Sequence, residues 1–228
     1  MKIIGISCSL RKGSNTKILV ENALSSAREA GAETFLLDMF GKTISPCQGC
    51  LKCSKTGQCQ VKDDMQQCYP LVEEAEGIVF GTPVFFFNIS GAAKIFMDRL
   101  YPLYMRGKLA NKVAGVIAVA NSIGHTGVWH TFITFFNAAH MLSADIVPAF
   151  AGLPGEVEKD RHAIQASKVL GKQIFDLASC RFRYPEEYTA ALYQHVANKY
   201  GINQSPHRGR FQQPATIESP VDYRDTKK

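Results

Sequence analysis

Short apolar segments alternate with segments of helical periodicity through most of this chain, and this alternation restricts its fold more than any other feature. Five strands are predicted, over 2–7, 34–37, 77–81, 113–119 and 146–150. Helices are predicted after the loop at 8–16 and over 92–100, 128–142 and 160–178. Strands joined through helices pair in parallel with right-handed crossovers. We therefore predict a five-stranded, parallel, doubly wound α/β domain over residues 1–180.

Two segments fall outside this alternation. The first, at about 40–64, contains four cysteines, and we expect it to be an inserted loop before a helix that Asp63 or Asp64 caps and that Pro70 limits or kinks. The second is a C-terminal extension, 181–228, predicted to be an amphipathic helix over 185–201 followed by a polar tail. We expect that tail to be disordered or to lie on a neighbouring subunit.

Composition narrows the cellular setting. The chain has 228 residues with 46% hydrophobic residues, enough to bury a full core. It contains no apolar run of membrane-spanning length, and its start, MKIIGIS, is unlike a signal peptide. The net charge of +6 is spread along the chain, which disfavours nucleic acid as a partner. These features predict a cytoplasmic protein that binds neither membrane nor nucleic acid.

The loop after the first strand, CSLRKGSNT, offers hydroxyls, an amide, cations and backbone N–H groups at the start of a helix. That combination suits a phosphate group, because helix N-termini attract anions. An ordinary capped turn is the alternative, since Ser, Asn and Thr are all good N-caps. The loop matches neither the dinucleotide pattern GxGxxG nor the nucleotide-phosphate pattern GxxxxGK[ST].

The loop after the third strand, TPVFFFNISG, carries three phenylalanines. Aromatic side chains at the carboxyl end of a strand can face a flavin ring, although burial in the core is the ordinary role of any single phenylalanine. Ligands of doubly wound domains bind at this edge of the sheet, which favours a role in binding.

Four cysteines are spaced C-x2-C-x2-C-x5-C, as Cys47, Cys50, Cys53 and Cys59. In a reducing compartment such a group indicates a metal before disulfides. Four thiolates suit a 4Fe-4S cluster or a structural zinc, and reduced cysteines without metal are a third interpretation. Cys8, Cys68 and Cys180 lie apart from this group, and we expect them to be buried small hydrophobic residues.

The segments ISCSLRKGSNT and TPVFFFNISGAAKIFMDR resemble the flavodoxin-like NAD(P)H-dependent FMN reductases, whose typical patterns are GSPRKGSNT and SPVYFGNVSGQLKAFIDR. The resemblance covers about 1–178 and implies a flavodoxin-like fold that binds FMN. By position it assigns the FMN phosphate to Ser9, Arg11, Ser14, Asn15 and Thr16, the flavin border to Pro83, Val84, Phe85, Phe86 and Asn88, and a third binding loop to Asn121, Ser122 and Gly124.

Three departures from the family pattern concern access beside the flavin. Phe85 stands where the family has tyrosine, Phe87 stands where it has glycine, and the third loop lacks the usual glycine pair. Phenylalanine at position 87, in place of glycine, predicts a narrower space beside the flavin.

The segment PCQGCLKCSKTGQCQVKDDM resembles the cysteine motif of the iron-sulfur flavoproteins, in which the cysteines bind a 4Fe-4S cluster next to FMN. This implies an FMN-dependent electron-transfer protein or oxidoreductase, supplied by a donor such as ferredoxin or NAD(P)H and passing electrons to oxygen, peroxide or a quinone. No acid-base catalytic residue is required, because the flavin carries the redox chemistry. A homodimer or homotetramer is expected. The alternatives are an NAD(P)H-dependent FMN or quinone reductase without a cluster, and a non-catalytic interaction module.

Overall fold

The computed structural model describes residues 1–185 as an α/β domain around one mixed sheet. Its strands are β1 (Lys2–Ser7), β2 (Glu33–Asp38), β3 (Gly77–Phe85), β4 (Asn88–Ile89), β5 (Val113–Ala120) and β6 (Leu142–Phe150). The five longer strands run parallel in the order β2-β1-β3-β5-β6. This is the flavodoxin-type order, with its switch point between β1 and β3. The predicted parallel, doubly wound sheet is confirmed.

The prediction of five strands was wrong, because β3 continues past position 81 and turns back on itself. Val84 pairs with Ile89 and Phe85 with Asn88 in antiparallel register, which makes β4 a sixth strand. A strand of two residues is too short to show an alternating hydrophobic pattern. The added hairpin lies at the end of the sheet where ligands bind in this type of fold.

Helices cover both faces of the parallel sheet. They are α1 (Asn15–Glu29), α2 (Lys52–Thr56), α3 (Met65–Glu74), α4 (Gly91–Arg99), α5 (Tyr101–Met105), α6 (His125–Ala138) and α7 (Arg161–Ser179). Residues of α1 and α7 form one buried cluster with the sheet, and residues of α3, α4 and α6 form the other. Every residue of β5 is consequently buried, as expected for a parallel strand with both faces covered.

Helix boundaries differ from prediction in several places. The short helices α2 and α5 were not predicted, and α2 lies within the segment expected to be a loop. The predicted helix at 128–142 begins earlier and ends at Ala138, because His140 takes a left-handed conformation with φ of 52° and Leu142 already pairs with Val113. Helix α3 continues through Pro70, and its first-turn Met65 N–H donates to the Asp63 carboxylate.

Within residues 1–185, no helix combines the length and the apolar character needed to cross a membrane. The helix predicted over 185–201 and the polar tail predicted after it lie outside the described residues, apart from position 185.

Candidate functional site

A cavity of about 640 Å³ lies beyond the carboxyl ends of β1, β3 and β5. Of the residues assigned to FMN from sequence, it is lined by Ser9, Arg11, Ser14, Asn15, Thr16, Pro83, Val84, Phe85 and Asn121. It is also lined by residues that the sequence analysis did not assign, among them Cys8, Leu10, Ser90, Gly91, Val119, Ala151 and Gly152. The structure therefore brings the first two predicted loops and part of the third around one space.

The first loop leads into α1, and the N-terminus of this helix lies at the cavity. The Ser14 hydroxyl caps the helix by accepting a hydrogen bond from Lys17 N at 3.1 Å, and Asn15 and Thr16 are buried behind it. The first turn of α1 contains no acidic residue. A helix N-terminus with this composition favours an anionic group, since its N–H groups and dipole point toward the ligand. The capped turn and the phosphate interpretation are thus compatible.

A loop after β6, which the sequence analysis did not identify, is hydrogen-bonded to side chains of the first loop and the start of α1. Arg11 Nη1 donates to Gly152 O at 2.7 Å, and Asn15 Nδ2 donates to Leu153 O at 2.8 Å. Asn15 Oδ1 also accepts from Val157 N at 3.2 Å. We call residues 151–157 the latch loop. Two features of the sequence could have identified this loop: it follows a strand, and it contains glycine and proline.

Inside the latch loop, a carboxylate orders the backbone. Glu156 Oε2 accepts from Gly152 N at 2.7 Å and from Leu153 N at 2.8 Å. These backbone hydrogen bonds, Leu153 first, lower the pKa of Glu156 below its ordinary value. The carboxylate is therefore ionised at neutral pH, the form that accepts both hydrogen bonds.

The second loop is anchored to the end of β1 through Ser90. Ser90 Oγ donates to Cys8 O at 3.2 Å and caps α4 by accepting from Ala93 N at 3.2 Å. Thr82 Oγ1 accepts from Ser90 N at 3.1 Å. These buried contacts fix the start of α4 at the rim of the cavity.

The tip of the second loop points away from the cavity. Phe86 and Phe87 form the turn between β3 and β4 with φ of 47° and 65°, and they are 98% and 59% exposed. Neither of them lines the cavity, and neither does Asn88, whose Oδ1 accepts from Thr131 Oγ1 at 2.8 Å. Phe86 and Phe87 are therefore not core residues, and the interpretation of this segment as ordinary core is wrong for them.

Replacing Phe87 with glycine should stabilise the FMN-free protein by about 1 kcal/mol, because a left-handed conformation costs a non-glycine residue about 1–2 kcal/mol. Urea unfolding measures the change. The control is Phe85→Gly, since Phe85 does not have positive φ and glycine weakens a strand. A loss of stability in both variants would contradict the prediction.

The third loop contributes one side chain to the cavity and otherwise packs on the second loop. Asn121 lines the cavity, whereas Ser122 and Gly124 do not. A Cβ at Gly124 would lie 2.8 Å from Phe87 Cα, and a Cβ at Gly127 would lie 2.1 Å from Phe87 O. Glycine at these two positions allows the main chain of the second loop to touch the third loop at Gly124 and the first turn of α6 at Gly127.

A second cavity, of about 440 Å³, is lined by all four clustered cysteines. We call it the cysteine cavity. Its other walls are Gln48, Gly49, Leu51, Gln60, Val61, Asp98, Arg99, Tyr101 and Pro102. All seven cysteines of the chain are free thiols. Of the three outside the cluster, Cys8 and Cys68 are buried as predicted, but Cys180 is exposed because it follows the last residue of α7 at the surface.

Cys53 lies near the other three clustered cysteines. Burial raises its pKa, and the nearby Cys59, Cys47 and Cys50 raise it further. Gln60 Nε2 also donates to Cys50 Sγ at 3.3 Å. The spacing of the four cysteines therefore corresponds to spatial grouping in the folded chain.

A buried ion pair lies at the base of the segment 45–63, which contains the four clustered cysteines. Arg99, 1% exposed, donates to the two Asp63 carboxylate oxygens at 2.7 and 3.0 Å, and to Ser45 O at 2.7 Å. Burial alone would raise the pKa of Asp63, but hydrogen bonds from Arg99, Ser45 N and Met65 N hold it below its ordinary value. Arg99 thus joins both ends of the segment to the end of α4.

Helix α4 connects the two cavities. Its first residue, Gly91, lines the cavity beyond the strand ends, and its last residue, Arg99, lines the cysteine cavity. At 1.5 Å per residue the helix spans roughly 12 Å between these positions. The two candidate sites are therefore held by one rigid element.

The strand order defines a flavodoxin-like protein, a class of fold whose ligands bind beyond the carboxyl ends of the strands. The sequence profile of the NADPH-dependent FMN reductase family matches residues 1–151. The chain belongs to this family and is a flavin-dependent oxidoreductase.

Individual relatives extend the similarity over most of the chain. The iron-sulfur flavoprotein MJ1083 of Methanocaldococcus jannaschii is 33% identical over 187 residues, 78% of this chain and 97% of that protein. A putative NAD(P)H-dependent FMN-containing oxidoreductase, YwqN of Bacillus subtilis, is 27% identical over 184 residues, 76% of this chain and 98% of that protein. The solved structure of RosB with a bound 8-demethyl-8-formylriboflavin-5'-phosphate intermediate has a TM-score of 0.69 at 19% identity, covering 100% of this chain and 98% of RosB.

Proposed function

We propose that the protein is an FMN-dependent electron-transfer oxidoreductase in which Cys47, Cys50, Cys53 and Cys59 hold a 4Fe-4S cluster. When bound, the cluster supplies one-electron transfer and FMN links it to reduction of a small acceptor such as oxygen, peroxide or a quinone. The observation that carries the proposal is the placement of the four cysteines in one cavity, joined by α4 to the cavity beyond the strand ends.

The residues beyond the strand ends fit FMN in two regions. Ser9, Arg11 and the N-terminus of α1 at Ser14, Asn15 and Thr16 would hold the phosphate through N–H, hydroxyl and guanidinium donors. Pro83, Val84, Phe85 and Asn121 would border the ring system. Burial first, and then Cys68, raises the pKa of the lining Cys8 to about 12, so this side chain remains a neutral thiol at neutral pH.

Replacing Arg11 with alanine should weaken FMN binding about 10- to 100-fold, the value of a hydrogen bond to a charged group. Quenching of FMN fluorescence on titration into FMN-free protein measures the dissociation constant. Lys12→Ala is the matched control. The substitution removes one positive charge, as Arg11→Ala does, but Lys12 does not line the cavity. Equal weakening in the two variants would show that only the general charge of the loop matters.

The cysteine cavity offers the donors that a cluster needs. All four clustered cysteines line one cavity of about 440 Å³, and a 4Fe-4S cluster receives one thiolate at each iron. Within residues 1–185, no three His, Cys, Asp or Glu side chains are grouped closely enough to hold a single metal ion. The same four thiolates could hold a structural zinc, and metal analysis distinguishes the two.

The second candidate function is reduction of FMN or a quinone by NAD(P)H without a cluster. It is favoured by the family match and by relatives described as NAD(P)H-dependent reductases. Rapid bleaching of the flavin by NADH or NADPH in stopped flow, unchanged by cysteine substitution, would support it. Slow bleaching by both nucleotides, with fast reduction by ferredoxin, would support the cluster-dependent route.

Assembly into a homodimer or homotetramer is part of the proposal. Phe86, Phe87 and Ile123 are large, exposed apolar side chains at the tips of the second and third loops. Such side chains favour contact with another protein surface. Sedimentation analysis determines the number of subunits.

The deciding experiment is an anaerobic visible spectrum with iron, zinc, acid-labile sulfide and released flavin measured on the same sample. FMN with about four irons and four sulfides per chain supports the proposal. FMN with zinc, or with no metal, supports the reductase without a cluster. Protein that takes up no FMN would favour a non-catalytic interaction module.

A further inference from the structure

Leu51 has a backbone conformation that favours glycine. Its φ and ψ are 54° and 8°, in the left-handed region, at the residue before α2. The same segment is left-handed at Gly49 and Gly57, where glycine adopts this conformation without steric cost. Leucine is disfavoured there, because its Cβ comes too close to the following carbonyl oxygen. Strained residues of this kind concentrate at functional sites, so the presence of leucine calls for an explanation.

Hydrogen bonds hold Leu51 in this conformation. Ser54 N donates to Leu51 O at 3.2 Å, and Ser54 Oγ donates to the same oxygen at 2.6 Å. Ser54 is buried, so water competes little for these bonds. The turn lies between Cys50 and Cys53, which both line the cysteine cavity. Glycine would form this turn at least as well, and the leucine side chain therefore needs a reason of its own.

The position of the side chain supplies that reason. Leu51 lines the cysteine cavity and is 45% exposed, so it lies at the boundary between the cavity and solvent. Two of the four clustered cysteines, Cys47 and Cys50, are exposed, which means that the cavity is open beside Leu51. The other apolar walls of the cavity are more buried than Leu51: Val61, Tyr101 and Pro102. Leu51 is therefore the exposed apolar side chain at the open side of the cavity.

We propose that the Leu51 side chain covers the solvent side of the 4Fe-4S cluster and limits the access of water and oxygen to it. This inference rests on the proposed function, because it requires the cluster to be present. It goes further in giving a role to a side chain that is not a metal ligand. The apolar groups around a metal centre control solvent access, so one leucine at the open side has a measurable effect.

Replacing Leu51 with glycine removes the cover and leaves the turn intact. Because glycine adopts this backbone conformation without strain, the metal-free variant should unfold at the same or a higher urea concentration than the unchanged protein. After anaerobic reconstitution it should contain iron and sulfide in full. On exposure to air, its acid-labile sulfide should disappear about tenfold faster, the lower end of what changes around metal ligands cost in metal affinity.

Leu51→Met is the matched control, because methionine keeps an apolar side chain of similar volume at the same strained position. Its sulfide should be lost in air at the rate of the unchanged protein. Equal rates in Leu51→Gly and the unchanged protein would overturn the inference. Equally fast loss in both variants would overturn it as well, since methionine preserves the cover.

A second measurement uses the unchanged protein and does not depend on the folding of a variant. Among residues 1–185, Leu51 is the only leucine that lines the cysteine cavity. Protein grown with deuterated leucine should show a deuterium coupling to the reduced cluster in pulsed EPR, and absence of that coupling would overturn the inference. If Leu51→Gly fails to fold or to assemble the cluster, the labelled protein decides alone.

Failure of the inference and failure of the proposed function are distinguishable. A full complement of iron and sulfide without deuterium coupling removes only the role of Leu51. Anaerobically prepared and reconstituted protein that contains no iron or sulfide removes the proposed function, and the role of Leu51 with it.

Discussion

Replacing Asp63 with alanine should lower the free energy of unfolding by about 3–5 kcal/mol, because removal of one partner leaves a buried charge without compensation. Arg99 is 1% exposed and Asp63 7% exposed, so solvent offers Arg99 no substitute for the lost carboxylate. The substitution also removes acceptors for Ser45 N and Met65 N. Urea unfolding of metal-free protein, with the slope of the transition compared between variants, measures the loss.

Asp98→Ala is the control for this experiment. Asp98 precedes Arg99 and pairs with Lys94, but both side chains of that pair are about half exposed, at 43% and 53%. An exposed ion pair of this kind contributes only about 0.3–0.5 kcal/mol. Equal losses in the two variants would mean that burial of the Arg99–Asp63 pair has no energetic consequence.

The same pair gives stability a pH dependence of known sign. The pKa of folded Asp63 is lower than its ordinary value of 3.8. Its contribution is therefore complete above that value and is lost as the pH falls through the folded-state pKa, where the unfolded chain binds the proton more readily. The difference in stability between the original protein and Asp63→Ala should shrink on acidification below about pH 4. A difference that stays constant to low pH would contradict this explanation.

Replacing Cys50 with serine should abolish the iron and sulfide content of the protein, about four atoms of each per chain, while FMN is retained. The serine hydroxyl is a poor replacement for a thiolate at iron. Cys50 lines the cysteine cavity and does not line the cavity assigned to FMN, so flavin binding has no direct reason to change. Anaerobic reconstitution followed by iron, sulfide and flavin analysis measures the outcome.

Cys180→Ser is the matched control, because Cys180 is exposed and lies outside the cysteine segment. It should retain iron, sulfide and FMN in full. Retained iron and sulfide in Cys50→Ser would overturn the assignment of the cysteine cavity. Loss of FMN together with iron would indicate instead that the whole chain had unfolded, which circular dichroism detects.

The parts of the fold that were predictable are those encoded in local periodicity. Strands such as β5, apolar throughout, and helices such as α7, with a strong apolar face, extend over enough residues to establish a repeat. The hairpin of β3 and β4 has only two residues in its return strand. Its turn places phenylalanine where glycine or asparagine is usual, so no local rule indicated it.

The site shows the same division between local and distant contacts. The spacing of the cysteines places all four on one short segment, and the structure groups them around one cavity. The Arg99–Asp63 pair spans 36 residues in sequence, and the contact between Asn15 and Leu153 spans 138. Such contacts depend on which strand ends become neighbours, which residue types alone do not determine.

The latch loop gives the two sides of the cavity different kinds of closure. On one side, main-chain atoms of Phe87 in the second loop meet Gly124 of the third loop and Gly127 of helix α6, where not even a methyl group fits. On the other side, hydrogen bonds from the Arg11 and Asn15 side chains hold the latch loop to the first loop, and no strand pairing is involved. A side chain added at either glycine would have to displace main chain, whereas a change at Arg11 would alter one wall of the cavity and leave the sheet in place.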